Sequence, residues 1–147
     1  MPMVYPSYAA AVAMLTPVLK GLPGRLVGID GRNRIGKTTL GRYLAWTFNI
    51  SLVEADLFLV EGRGSPEYHV DQIRRIIDFR LDKPRPIIVE SIGLFHLLKE
   101  LGRAPDVVIY CCSDNYEPDD ELCGWLDRYE QQYDPKLRAD IVLDLTE

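Results

Sequence analysis

The chain has 147 residues, of which 47% are hydrophobic, and a formal net charge of −5. This length and composition predict a single domain with a real apolar core, and the acidic excess argues against nucleic acid as a main partner, since such binding depends on Lys and Arg. No apolar run approaches the roughly 18 residues of a membrane span, so we expect no membrane partner either.

The cysteines and the N-terminal segment bear on where the protein works. Three cysteines, of which Cys111 and Cys112 are adjacent, form no disulfide framework. The first residues are apolar but carry no basic cluster, which makes them a poor signal peptide. Both features favour a reduced, cytoplasmic protein.

Apolar residues at helical spacing predict a first helix over about residues 6–19. Pro17 is expected to kink or end this helix, because proline lacks the backbone N–H and clashes with the preceding turn. A Gly-Leu-Pro-Gly turn follows at residues 21–24. We expect residues 1–24 to form a helix that packs on the core, or on a second copy in a homodimer, and residues 25–147 to form the main domain.

Residues 25–39, RLVGIDGRNRIGKTT, contain the phosphate-loop pattern G-x-x-x-x-G-K-[ST] between an apolar strand and a helix over about residues 37–48. Glycines let backbone N–H groups turn inward, and the helix adds its positive end, so the turn suits a phosphate. Lys37 is expected to reach the β and γ phosphates, and Thr38 to offer its hydroxyl to Mg²⁺. The alternative is an ordinary strand-to-helix turn with a surface lysine. The predicted nucleotide-binding residues are Gly31, Arg32, Asn33, Arg34, Ile35, Gly36, Lys37, Thr38 and Thr39.

The rest of the chain alternates between short apolar strands and amphipathic helices. Strands are predicted at about residues 51–55, 87–90, 107–110 and 139–145, and helices at about residues 67–81, 94–101 and 119–133. This alternation predicts an α/β sandwich around a mostly parallel sheet, with the phosphate-loop domain occupying residues 25–147.

Ligands of such sheets bind at the carboxyl ends of the strands, which selects a few polar residues. Asp56 follows the second strand and is a candidate general base, or else a cap of the next loop. Glu90 ends the third strand and is a candidate for Mg²⁺ or acceptor contact, or else an ion-pair partner of Lys37. Arg63 is a candidate clamp for an anionic part of the acceptor, or else a solvated side chain. Asp30 is expected to buttress the loop or else to orient Mg²⁺ waters.

Four stretches together resemble the uridine kinase and phosphoribulokinase-like branch of the P-loop kinases: VGIDGRNRIGKTTLGRYLA, VEADLFL, PIIVESIGLF and RYEQQYDPKLRADIVLDL. The resemblance implies the P-loop NTPase fold with five parallel strands in the order 2-3-1-4-5. It also implies transfer of a phosphoryl group from ATP, with Mg²⁺, to a hydroxyl of a small molecule. By resemblance, Lys37 and Thr38 are nucleotide and Mg²⁺ residues, Asp56 is the base, and Glu90 is an acceptor or metal-site carboxylate.

The chain departs from this family at two places. Loop positions that are usually small are Arg32, Asn33, Arg34 and Ile35, and we take Arg34 as a candidate catalytic charge supplied within the loop. The family's lid brings arginines over the transferring phosphoryl group, whereas residues 111–121 contain five acidic residues and no basic one. Acidic side chains there work against transfer.

Two functions therefore remain open at this point. The first is a kinase whose partners are a nucleoside triphosphate and a small-molecule acceptor. The second is a P-loop module that binds or slowly hydrolyses a nucleotide and acts as a regulatory or binding protein.

Overall fold

A computed structural model describes residues 5–118 and 121–146 of the chain. The strands are β1 (Leu26–Gly31), β2 (Ser51–Glu54), β3 (Ile87–Glu90), β4 (Val107–Cys112) and β5 (Ile141–Asp144). The helices are α1 (Tyr8–Leu19), α2 (Lys37–Phe48), α3 (Val70–Asp82), α4 (Leu94–Leu101), α5 (Cys123–Tyr133) and α6 (Pro135–Arg138). A 3₁₀ turn at Ala55–Phe58 follows β2.

The five strands form one parallel sheet in the order β2-β3-β1-β4-β5, which confirms the predicted fold class and strand order. All six residues of β1, the central strand, are buried. Strands that are buried along their whole length are expected where helices cover both faces of a sheet. The arrangement brings the carboxyl ends of β1, β2 and β3 together at one edge.

Two apolar clusters, one on each face of the sheet, make the fold a three-layer sandwich. One cluster joins the sheet to α1 and α2, with Leu15 and Leu44 fully buried. The other joins it to α3, α4 and α5, with Ile77 and Leu97 fully buried. Burial of such side chains is the main force that holds helices on a sheet.

Helix α1 does not end at Pro17 but continues for two more residues, to Leu19. Proline removes a hydrogen-bond donor, but Leu15 and Leu19 are buried in the first apolar cluster, which keeps the last turn against the core. The hydroxyl of Thr16 donates to the carbonyl oxygen of Val12 at 2.6 Å. The predicted extent, to about residue 19, agrees with the structure, and Pro17 does not end the helix because packing outweighs the local penalty.

Helix α3 begins at Val70, three residues later than the apolar periodicity suggests. The residues before it pair with the chain that follows β2: the N–H of Val60 donates to the carbonyl of Glu67 at 2.8 Å, and Leu59 forms an antiparallel bridge with Tyr68. This pairing competes with helix formation at residues 67–69 and folds the segment back beside the end of β2.

Helix α5 also begins later than predicted, at Cys123. The predicted start, Asp119, and its neighbour Asp120 lie outside the described residues. Within residues 5–118 and 121–146, no helix combines the length and the apolar character needed to cross a bilayer.

Candidate functional site

The turn after β1 has the backbone that its glycines require. Gly31 has a φ of 144°, and a Cβ atom there would lie 2.5 Å from the carbonyl oxygen of Cys111. Gly36 has a φ of 103° and is the N-cap residue of α2. Residues other than glycine rarely adopt these backbone angles. The turn therefore leads from the central strand directly to the positive end of a helix.

Lys37 lies at the centre of this turn. It is the first residue of α2, is only 5% exposed, and its Nζ donates to the backbone carbonyl of Arg32 at 2.5 Å. Burial lowers the pKa of Lys37, while the nearby carboxylate of Glu90 works in the opposite direction. A buried ammonium group held against a backbone carbonyl is available to an incoming phosphate, which offers stronger, charge-assisted hydrogen bonds.

Thr38 and Glu90 bring two oxygen donors together beside this lysine. The Oγ1 of Thr38 donates to Oε2 of Glu90 at 3.2 Å, and Glu90 ends β3 with only 5% exposure. Burial raises the pKa of Glu90, and the positive charge of Lys37 opposes this shift. A hydroxyl and a carboxylate are hard oxygen ligands of the type that Mg²⁺ takes alongside phosphates and water.

No group of three or more His, Cys, Asp or Glu side chains among the described residues is arranged to hold a metal ion. A Mg²⁺ ion at Thr38 and Glu90 would therefore need phosphate oxygens and waters to complete its octahedral coordination.

A cavity of about 180 Å³ opens beside the phosphate loop at the carboxyl ends of β1, β2 and β3. Its lining consists of loop residues, strand-end carboxylates and an apolar wall: Asn33, Arg34, Lys37, Thr38, Asp56, Leu59, Tyr68, Glu90, Ser91, Ile92 and Leu122. This cavity thus brings together most of the residues that the sequence predicts for catalysis, metal binding and acceptor binding.

Asp56 and Arg63, both predicted to serve the acceptor, lie in different surroundings. Asp56 sits in the 3₁₀ turn after β2, is exposed, and lines the cavity. Arg63 lies farther along the loop, where its Nε is 3.1 Å from Oε2 of Glu67 and its side chain is 60% exposed. Arg63 does not line the cavity. Arg63 is therefore exposed in an ion pair, and its role towards an acceptor stays a prediction.

The side chain of Arg32 points to the other flank of the loop, towards α5. Its guanidinium donates two hydrogen bonds of 2.8 Å to the carboxylate of Glu130 and one of 2.6 Å to Asp127. Bidentate arginine–carboxylate pairs of this geometry are among the stronger polar contacts in proteins. Tyr110 donates to the same Glu130 carboxylate at 3.1 Å. Arg32 meets Lys37 through its backbone carbonyl.

Asp30 ties the start of the loop to α4 and α5. It is 1% exposed, and its carboxylate accepts hydrogen bonds from the N–H of Gly31 (2.8 Å), the N–H of Leu94 (3.3 Å) and the hydroxyl of Tyr129 (2.6 Å). Burial raises the pKa of Asp30 to about 6, although these donors act against the shift. Its surroundings match the expected buttressing role.

The remaining loop residues divide between the core and the surface. Ile35 is 7% exposed and packs in the first apolar cluster, so its bulk lies under the turn. Arg34 is exposed with a φ of 63°, and Thr39 is partly buried in the first turn of α2. Asn33 accepts a hydrogen bond of 3.4 Å from the hydroxyl of Tyr116.

Tyr116 belongs to the acidic segment after β4, the position of the expected lid. Its ring lies over the guanidinium of Arg32, 5.6 Å from Cζ to the ring centroid. A second cavity, of about 380 Å³, opens on this flank. Its lining combines the loop, the end of β4 and the start of α6, and includes Arg32, Ile35, Cys112, Tyr116, Glu130 and Lys136.

The partners on α5 were not recognised from the sequence as parts of the site. Tyr129 contacts Asp30 across 99 positions of the chain, and Glu130 contacts Arg32 across 98. Helical spacing correctly places Tyr129 in the core, where it is 4% exposed, but spacing within one helix does not show which distant group it meets.

Similarity to solved structures extends over most of the chain. A possible uridine kinase from Bacillus stearothermophilus matches with a TM-score of 0.64 and 19% identity, covering 92% of this chain and 98% of that one. A sugar kinase from Janibacter sp. HTCC2649 matches with a TM-score of 0.56 and 20% identity, covering 84% and 86%. Thymidylate kinase from Candida albicans matches with a TM-score of 0.50 and 13% identity, covering 84% of each chain.

No protein-family model matches the sequence, and comparison with curated proteins finds no match. At this level of identity the structural likeness defines a fold. The chain has the P-loop kinase fold, and the uridine kinase type suggested by its motifs is consistent with these neighbours.

Proposed function

We propose that this protein is a kinase that uses ATP and Mg²⁺ to phosphorylate a hydroxyl group of a small molecule. The observation that carries the proposal is the cavity beside the phosphate loop, where Lys37, Thr38, Asp56 and Glu90 converge. Phosphoryl transfer requires a phosphate cradle, a metal site and a base for the acceptor within one small volume, because catalysis here is mostly positioning and charge stabilisation.

Each residue has a separate task in this proposal. The backbone of the turn and the ammonium of Lys37 hold the β and γ phosphates, and Lys37 exchanges its bond to the Arg32 carbonyl for bonds to phosphate oxygens. Thr38 and Glu90 would hold Mg²⁺, which neutralises phosphate charge when it is bound. Arg34, which lines the cavity, supplies positive charge from within the loop.

Asp56 is the proposed general base. Its carboxylate accepts the proton of the acceptor hydroxyl, and the hydroxyl oxygen forms a bond to the γ phosphorus. The bond from the γ phosphorus to the bridging oxygen breaks, and ADP leaves with that electron pair. Asp56 suits this task because it is exposed at the cavity, where it can reach an acceptor, whereas Glu90 is bonded to Thr38.

A second candidate is a P-loop module that binds or slowly hydrolyses a nucleotide without an acceptor. The acidic segment after β4 favours it, because Arg32, the basic group that lies over the Tyr116 ring, is already paired with Glu130 and Asp127. A site short of mobile positive charge stabilises a transferring phosphoryl group less well.

The test is ADP release coupled to a reporter enzyme, with a panel of alcohols as acceptors and calorimetry for nucleotide binding. We expect acceptor-stimulated release in the parent protein, with losses of about 100-fold or more for Lys37→Ala and Asp56→Asn. Lys99→Ala, an exposed lysine on α4, is the matched control and should behave as the parent. Arg34→Ala should lower turnover more than nucleotide affinity.

ATP binding that depends on Lys37 but no stimulation by any acceptor would support the second candidate instead. Equal losses of turnover and affinity for Arg34→Ala would remove its proposed role in the transfer step. The homodimer and the cytoplasmic location remain predictions, which gel filtration with light scattering and fractionation of cells can test.

A further inference from the structure

We propose that the acceptor is a compact alcohol without an anionic group, such as a polyol or an amino alcohol. This inference rests on the proposed kinase function and specifies its acceptor class. Three properties of the cavity beside the phosphate loop carry it: its volume, the distribution of charge on its lining, and the fixed position of its apolar wall.

The volume of the cavity sets the size of the acceptor. It measures about 180 Å³, below the range of roughly 300–1,000 Å³ that is usual for sites of drug-sized ligands. A space of this size favours a compact acceptor, such as an alcohol between glycerol and a pentitol, over a complete nucleoside.

The charges of the lining set the charge of the acceptor. Its two cations, Arg34 and Lys37, belong to the phosphate loop and the start of α2, where the proposed function commits them to phosphate. The carboxylates of Asp56 and Glu90 face the same space. An acceptor with its own carboxylate or phosphate would meet like charge there, and Arg63, the sequence-based candidate for such a group, is paired with Glu67 outside the cavity.

The rest of the lining is uncharged, and Tyr68 within it is held in place by the fold. Tyr68 is 9% exposed, and its hydroxyl lies 3.2 Å from Oγ of Ser91 and 3.4 Å from the carbonyl of Ile92. Burial raises the pKa of Tyr68 to about 12, so this hydroxyl stays neutral. The bridge between Leu59 and Tyr68 ties the wall to the segment that carries Asp56. Such a wall favours the carbon skeleton and hydroxyls of a polyol.

The experiment measures kcat/KM for ADP release with matched acceptors. Erythritol and ribitol represent compact neutral alcohols, erythronate and ribonate are their carboxylated counterparts, and uridine tests size. We expect the neutral alcohols to exceed their carboxylated counterparts and uridine by at least tenfold. Equal or higher values for the carboxylated acceptors, or for uridine, would overturn the inference and leave the kinase function in place.

A pair of lysine substitutions tests whether the cavity lining causes the selectivity. Leu59→Lys adds a cation at the cavity, and Leu57→Lys adds the same charge in the neighbouring turn, where Leu57 is 75% exposed and does not line the cavity. Leu59→Lys should reduce the preference for ribitol over ribonate by at least fivefold, and Leu57→Lys should leave it unchanged. Continued turnover of ribitol by Leu59→Lys shows that this variant folds.

Equal selectivity in both lysine variants would contradict the charge argument. If Leu59→Lys loses all turnover, the selectivity of the parent protein alone decides the inference. If no acceptor stimulates ADP release in the parent, the proposed kinase function fails and this inference fails with it.

Discussion

The two flanks of the phosphate loop differ in how their charged groups are used. On the flank towards α5, Arg32 is bound by Glu130 and Asp127, and Asp30 accepts three hydrogen bonds. On the flank towards β2 and β3, Asp56 is exposed at a cavity. A charge in a full set of hydrogen bonds is costly to move, whereas an exposed carboxylate can accept a proton from a ligand.

The two flanks therefore have different roles: the α5 flank holds the loop in place, and the flank towards β2 and β3 carries the groups that would act on a ligand. The α5 flank holds the loop at its start, through Asp30, and one position into the turn, through Arg32. The flank towards β2 and β3 then holds Lys37 and its neighbours in a fixed geometry. A fixed geometry is the condition for electrostatic stabilisation of the proposed phosphoryl transfer. Substitutions on the α5 flank should therefore act mainly on stability.

The largest effect is expected for Gly31→Ala. The new Cβ would meet the carbonyl of Cys111 at 2.5 Å, in a backbone conformation that L residues rarely adopt, so the free energy of unfolding should fall by about 3 kcal/mol or more. Gly62→Ala is the control, because Gly62 also has a positive φ of 76° but open space around it, and should lose about 1 kcal/mol. Urea unfolding measures both, and equal losses would show that the contact with β4 relaxes easily.

The second prediction concerns the pH dependence of stability through Asp30. Burial raises its pKa from 3.8 to about 6, so the folded protein binds more protons than the unfolded chain between these values. The free energy of unfolding should therefore decrease by about 2 kcal/mol as the pH rises from about 4 to 6, and this contribution should be absent in Asp30→Asn. Urea unfolding at several pH values gives the difference between the two proteins.

Asp71→Asn provides the reference for this measurement. The side chain of Asp71 is 97% exposed, so Asp71→Asn should show the same change in the free energy of unfolding with pH as the parent protein. A parent protein and Asp30→Asn with parallel pH profiles would show that the loop carboxylate is ionised without penalty, contrary to its burial.

The smallest effects are expected at the arginine pair. Glu130→Gln removes the charge that binds the Arg32 guanidinium at two points and should cost about 1 kcal/mol, since the Glu130 side chain is one-third exposed. Asp127→Asn should cost about 0.5 kcal/mol or less, because the Asp127 side chain is 56% exposed. Double-mutant cycles with Arg32→Met separate the two couplings.

A larger coupling for Asp127 than for Glu130 would reverse the proposed order of the two contacts. If Glu130→Gln strongly lowers kcat/KM for ADP release while the free energy of unfolding falls by only about 1 kcal/mol, then the α5 flank takes part in transfer as well as in support of the loop. Support of the loop and phosphoryl transfer would then not be divided between the two flanks.

The strand-end residues show how far sequence reasoning reaches. Gly31, Gly36 and Lys37 were recognisable because their spacing encodes one local turn. Asp56 and Glu90 were predictable as neighbours, because parallel strands end at the same edge of a sheet. Their places at one cavity agree with that reasoning, and their roles in catalysis and metal binding remain proposals.

Other features had no local signal. The late start of α3 depends on a pairing between Leu59 and Tyr68, and such pairing competes with a helical pattern that looks complete in the sequence. Likewise, nothing near Arg32 in the chain indicates that its side chain turns towards α5, because its partners lie almost a hundred residues away.

Short-range patterns of side chains determine the succession of strands and helices along the chain and the phosphate turn. They also determine which edge of the sheet carries the site. Those patterns act through hydrogen bonds and burial within a few residues, so they can be read directly. The size of the cavity, the pairing of Arg32 with Glu130 and the contact of Asp30 with Tyr129 depend instead on how α5 and the segment after β2 pack on the sheet. Only the assembled core brings these distant groups within contact distance, where their charges and shapes act on one another.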